Sequence, residues 1–284
     1  MSAALVEGTG IVPERVSDPA EAFRLLQIDG ASILSVGETS PQAAVEATEA
    51  VLGEHLRSYR PPMGIVTNPV DGEGPHPDAE RRNVLADRSV ELELHIDGYM
   101  MFGTAYPDFI FLLCVEQAPQ GGDSYVVDGV RLADRIAADP AERELARFLW
   151  ERPIDQSTPT GVAHHSPVVS WTPGGRRTAR GHGNQRVLPG SPPRDQELLD
   201  RWRALCLDAA RQAPRFRMQP GDFFCLDNYR LFHGRTPYAG TGRTLHRIWS
   251  WSEFAFGVPA PETNGPRPLV RVPHSFDTPT EVAR

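Results

Sequence analysis

His95, Asp97 and His233 are the side chains whose types and spacing best suit them to do chemistry together. Val90 to Asp97 (VELELHID) alternates apolar and polar residues, as a half-buried strand does. Residues i and i+2 of a strand share a face, so His95 and Asp97 are predicted to aim at one point. A catalytic metal site needs a third ligand, and His233, which closes the apolar run FFCLDNYRLF, is the best candidate. Two imidazoles and one carboxylate on one face of an octahedral ion leave three positions open, as in non-haem iron(II) oxygenases. The same donors also suit a zinc or manganese hydrolase or isomerase, so the surrounding residues must decide.

The elements that would hold these ligands read mainly as short strands with flanking helices. Phe109 to Gln117 and Ser124 to Gly129 read as strands, the second leading into a helix from Val130. Arg215 to Thr236 reads as two strands broken at Pro220-Gly221, and Arg243 to Phe254 as another. Helices are predicted over Ala20–Leu26, Pro41–Tyr59 and Pro193–Ala213, each with an apolar stripe facing a core. Residues 60–87, rich in Pro and Gly, read as a long lid loop, and 257–284 as a Pro-rich C-terminal arm. Many short strands with helices at their edges predict a mainly β (α+β) fold, a jelly-roll barrel, as one domain over 1–284.

Three segments carry a family resemblance: Leu94–Gly129 with HID and GGDS, Pro220–Tyr238 with DNYRLFHGR, and Gly242–Trp251 with GRTLHRIWSW. In this order they resemble the taurine dioxygenase and γ-butyrobetaine hydroxylase superfamily of iron(II)/2-oxoglutarate oxygenases, whose fold is the double-stranded β-helix. The resemblance implies that His95, Asp97 and His233 bind iron(II). It implies that Arg243, ten residues after His233, binds the distal carboxylate of 2-oxoglutarate together with Ser124. The planar guanidinium fork matches a carboxylate bidentately. Arg247 would share a strand face with Arg243; spacing leaves it to assist 2-oxoglutarate or to bind an acidic substrate group. The implied reaction consumes O2 and 2-oxoglutarate, releases succinate and CO2, and oxidises a C–H bond of a small polar molecule such as an amino acid. Hydroxylation is the first expectation, with desaturation or ring closure as other outcomes. Halogenases of this kind lack the carboxylate, so Asp97 argues against halogenation.

The substrate side is less legible. Glu93 is either a partner for a substrate amine or a solvated strand residue. Tyr99 and Met101 follow the motif and are candidate pocket residues, as are Arg82 at the end of the lid and, by position alone, Arg186 near His182. His164 and His165 read as surface loop residues and His246 as structural, facing away from Arg247. Asp227, Asn228, Arg230, Arg235 and Tyr238 read as structural.

Composition sets outer limits. Lys and Arg number 29 against 37 Asp and Glu, a net charge of −8, which speaks against a general nucleic-acid binder. No apolar run reaches the length of a membrane span. The first residues lack a secretory signal pattern, and Cys114, Cys206 and Cys225 form no CxxC pair, so a cytoplasmic protein with reduced, buried thiols is expected.

Overall fold

The computed structural model describes residues 2–66, 90–157, 161–240, 242–260 and 269–272. Its architecture is mixed, mostly sheet with several helices. An eight-stranded sheet runs Val270–Arg271, Leu56–Tyr59, Thr244–Ser252, Phe109–Glu116, Asp222–Asp227, Ala31–Ser35 and Glu14–Val16, with Met63–Val66 also paired to Thr244–Ser252. A four-stranded sheet runs Gly10–Ile11, Ser124–Asp128, Leu231–Arg235 and Leu92–His95.

Alternation along the strands sorts the two faces of the large sheet. Phe109, Phe111, Leu113, Phe223, Cys225 and Ile248 join one apolar cluster with Leu26, Ala44, Val51 and Leu52 of the helices Pro19–Ile28 and Pro41–Leu52. Their neighbours Ile110, Cys114, Phe224, Leu226, Leu245, Trp249 and Trp251 join a second cluster, shared with the small sheet. The outer side of the small sheet packs on the helices Gly129–Ala138 and Pro193–Gln212, and the helix Arg143–Glu151 packs against those two. Phe232 meets Trp202 of the last helix edge-on at 6.0 Å. Since neighbouring strand residues face opposite ways, His233 is turned toward the large sheet.

Several expected boundaries move. The helix from Pro41 stops at Leu52, where Gly53 has φ 49°, and Leu56–Tyr59 becomes a strand against Ser250–Ser252. Leu56 is still buried, so the apolar pattern held while the period changed. The reading of residues 60–87 as loop is corrected at its start. Met63–Val66 is apolar enough to add a strand beside Thr244–Arg247, and Ile65 is buried there; residues 67–87 of that stretch lie outside the described residues. The strand carrying the motif is Leu92–His95, shorter than expected, and Asp97 lies beyond its end. Within the C-terminal arm, Val270–Arg271 is an edge strand. The helices Pro19–Ile28, capped by Asp18, and Pro193–Gln212 match expectation closely. Among the described residues no helix is long and apolar enough to cross a membrane.

Candidate active site

The strand Leu231–Arg235 pairs on one side with Leu92–His95 in a register that sets His233 directly opposite His95. Their rings stand 4.2 Å apart. Asp97 reaches the same point from the turn that follows, not from a strand face. Asn228 fixes that turn: its Oδ1 accepts from the Asp97 N–H at 2.9 Å, and its Nδ2 donates to the carbonyls of Asp97 (3.0 Å) and Pro107 (2.8 Å). Gly98 follows with φ 81°, and a Cβ there would lie 2.3 Å from the Pro107 ring, so only glycine fits.

One ligand atom from each of His95, Asp97 and His233 lies within 4.8 Å of the others. Asp97 Oδ1 stands 3.4 Å from His95 Nε2 and 4.0 Å from His233 Nε2. Nitrogen and oxygen donors bind first-row divalent ions at about 2.0–2.2 Å, so neighbouring ligands on an octahedron stand about 3 Å apart. The donors need only a small inward shift to share one ion. His95 Nδ1 donates to the Glu93 carbonyl at 2.8 Å, so a neutral ring turns its Nε2 lone pair toward a carboxylate oxygen. Two acceptors facing each other in a buried site repel unless a cation lies between them, which is the fit expected of a metal site.

Electrostatics agree. Burial disfavours the charge on Asp97, but the contacts around it, Arg247 first among them, hold its carboxyl far below the usual carboxylate range. Burial, with His95 alongside, pushes His233 down to about 3. A carboxylate and a neutral imidazole are the protonation states that metal ligation requires.

The second carboxylate oxygen is occupied. Asp97 Oδ2 accepts from Arg247 Nη1 at 2.9 Å and from the indole N–H of Trp249 at 2.8 Å. Beside the triad lies a pocket lined by Ser124, Arg235, Arg243 and Arg247, with Ile65, Leu112, Phe224 and Leu245 as its apolar wall. Arg243 is buried; its Nε donates to Gln117 Oε1 at 3.1 Å, and its guanidinium lies 5.7 Å from the Tyr238 ring. No carboxylate among the described residues pairs with it. Burial, and then Arg235, push Arg243 down to about 10, so it remains a cation near neutral pH. Arg243 and Arg247 thus face one pocket, as their spacing predicted, although the ladder slips between Thr244 and Leu245.

Other expected site residues fall differently. The Glu93 side chain is exposed and does not line the pocket; its carbonyl is the group that serves the site. Arg186 is half exposed and ion-paired to Asp155 at 3.1 Å, away from the pocket, because the pairing of Asp155 with Arg186 ties it to a peripheral turn. Tyr99 is buried, stacked on His182 at 3.8 Å, with its hydroxyl accepting from Asn184 Nδ2 at 3.1 Å. Met101 is partly exposed, its sulfur 3.4 Å from Arg60 Nη1. Arg82 lies outside the described residues. His164 is buried, not a surface residue, and neither of its ring nitrogens has a hydrogen-bond partner among the described residues. Arg235, read from the sequence as structural, is buried and lines the pocket. Asp227 caps its turn and Arg230 pairs with Asp128, as expected of structural residues. His246 stays off the pocket. Trp249 went unnoticed in the sequence, although it stands two residues after Arg247 and so shares its strand face.

Two imidazoles and one carboxylate converge beside an arginine-lined pocket, a donor set that could hold one metal ion and is of the 2-His-1-carboxylate kind. The chain belongs to the taurine catabolism dioxygenase TauD, TfdA family, whose model matches residues 13–249. A curated relative, the 3-((Z)-2-isocyanoethenyl)-1H-indole synthase of Fischerella ambigua (strain UTEX 1903), is 26% identical over 174 residues, 54% of this chain and 61% of that protein. The match therefore spans less than two thirds of that relative's length. Among solved structures, an asparagine oxygenase in complex with Fe(II), 3-hydroxyasparagine and succinate has a TM-score of 0.57 at 20% identity, over 81% of this chain and 77% of that one. PvcB, an Fe, α-ketoglutarate-dependent oxygenase from an isonitrile synthetic pathway, has a TM-score of 0.57 at 20% identity, over 85% and 83%. A taurine dioxygenase from Burkholderia xenovorans has a TM-score of 0.55 at 17% identity, over 90% and 88%. At these identities the likeness to solved structures is one of fold.

Proposed function

We propose that this chain oxidises an unactivated C–H bond of a small amino-acid-like substrate, consuming 2-oxoglutarate and O2 and releasing succinate and CO2. His95, Asp97 and His233 hold iron(II); Ser124, Arg243 and Arg247 hold 2-oxoglutarate. The observation that carries this reading is the placement of a convergent donor set beside a pocket lined by buried arginines, one of them with no carboxylate partner among the described residues. Iron supplies the reduction of O2 that drives oxidation of both the co-substrate and the substrate.

The chain's own residues orient and exclude. Arg243 pairs with the distal carboxylate through its planar fork, and Ser124 adds a hydroxyl at the same wall. The apolar wall of Ile65, Leu112, Phe224 and Leu245 keeps water from the reacting groups and strengthens each charge contact. The two sheets are read as the halves of a double-stranded β-helix, and the chain as one cytoplasmic catalytic unit.

For the substrate, the relatives point to amino acids and their derivatives: the named ligand of one solved structure is 3-hydroxyasparagine and that of another is (3S)-hydroxy-L-Arg. Tyr99 and Met101, just past the triad, are proposed to line that side. A second outcome, desaturation, is favoured by the curated relative, whose named product carries an ethenyl group. Product mass separates the two, a gain of one oxygen against a loss of two hydrogens.

The test is anaerobic. Protein with iron(II) and 2-oxoglutarate is expected to develop a weak visible charge-transfer band, and admitting air is expected to release succinate, faster when the right amino acid is present. Folded protein that shows neither band nor succinate refutes the proposal.

A further inference from the structure

We propose that Trp249 is a positioning residue that keeps Asp97 a one-oxygen ligand. The inference rests on the metal site proposed above. A facial triad works only if it leaves three neighbouring positions for a two-point co-substrate and O2. A carboxylate that turned both oxygens to the ion would take one of them. In this chain that turn is blocked, because Asp97 Oδ1 faces the two imidazoles while Oδ2 accepts from both Trp249 Nε1 and Arg247 Nη1. Bringing Oδ2 to the ion would break both charge-assisted bonds inside a buried site.

The indole is held stiffly. Trp249 lies on the inward face of the strand Thr244–Ser252, and the Arg247 guanidinium stands 4.7 Å from its ring. The Arg60 guanidinium stands 5.5 Å from the same ring. Phe102 meets it at 83° and 5.9 Å. Arg247 lines the co-substrate pocket and is drawn upon by any acid that enters it, whereas the neutral indole N–H has no such competitor. Trp249 therefore holds Oδ2 when Arg247 is engaged elsewhere.

The experiment titrates Co(II) alone into wild-type protein, Trp249→Phe and Phe102→Leu, reading the visible bands that report cobalt coordination. Trp249→Phe removes the N–H but keeps a ring for Arg247 to stack on. It is expected to weaken Co(II) binding by about 10- to 100-fold and to change the band pattern. Phe102→Leu loosens the same packing and is expected to leave both readouts as in the wild type. If Trp249→Phe does not fold, the sulfur isostere of tryptophan, placed at 249, removes only the N–H and decides the matter. Binding within twofold of wild type with unchanged bands, in Trp249→Phe or in the isostere at 249, overturns the proposal while leaving the metal site standing. A wild-type protein that binds no Co(II) overturns both.

Discussion

Asn228 ties the fold to the ligand set, so Asn228→Ala probes both at once. Its side chain is fully buried and makes three hydrogen bonds, two to the Asp97 backbone and one to the Pro107 carbonyl. Each bond contributes about 1 kcal/mol net, and each backbone group left buried without a partner costs about 1–3 kcal/mol. Both flanking segments are buried, so water cannot readily replace the amide. The expected loss is about 3–5 kcal/mol, equivalent to roughly 6–20 °C in melting temperature. Urea unfolding followed by circular dichroism measures the first quantity. The turn carrying Asp97 loosens in the same variant, so Co(II) affinity is expected to fall by about 10-fold or more. Asn228→Asp keeps the acceptor for the Asp97 N–H but sets a carboxylate oxygen against two carbonyls, and should be no better than alanine. A stability loss below about 1 kcal/mol, with unchanged metal binding, would show that the turn is held by something other than Asn228.

Asp97→Ala should lower metal affinity by more than about 100-fold and abolish succinate release; wild-type turnover would remove Asp97 from the ligand set. Arg243→Ala should raise the 2-oxoglutarate requirement by roughly 10- to 150-fold, the weight of hydrogen bonds to a charged group, with Arg243→Lys between. An unchanged requirement reassigns Arg243, and the same measurement on Arg247→Met reports that residue's share. Burial pushes His164 down to about 4 and His182 and His233 down to about 3. Between those values and the unfolded value near 6.5 the unfolded chain binds more protons, so stability is full above pH 6.5 and falls as pH drops toward 3. The slope approaches about 1.4 kcal/mol per pH unit for each histidine. Urea midpoints from pH 7.5 to 4.5 measure it in metal-free protein, and a flat profile contradicts the buried, neutral assignment. Gly234→Ala sets a Cβ 2.4 Å from the Tyr125 ring, beside His233. It should cost about 1–3 kcal/mol; a neutral result would mean the ring yields freely.

The residues alone put forward a donor set: His95, Asp97 and His233 could be named from type and spacing, while Ser124 and Arg243 were implied by the family resemblance that the ordered motifs carry. The apolar periodicity of Pro19–Ile28 and Pro193–Gln212 was equally legible, because amphipathic helices carry their pattern locally. What tertiary structure decided was everything that depends on a distant partner. His95 and His233 meet through a strand register between segments far apart in sequence. Asp97 owes its position to Asn228, more than a hundred residues on, rather than to its own strand. Met63–Val66 became a strand because an edge was open beside Thr244–Arg247, while Glu93 and Arg186 turned away because their neighbours' pairings pointed them elsewhere. Burial of Arg235 and His164, and the two donors on Asp97 Oδ2, arise only where separate strands and turns close on one another. Local sequence specifies the groups a reaction needs; long-range packing decides which atom of each group faces the reaction.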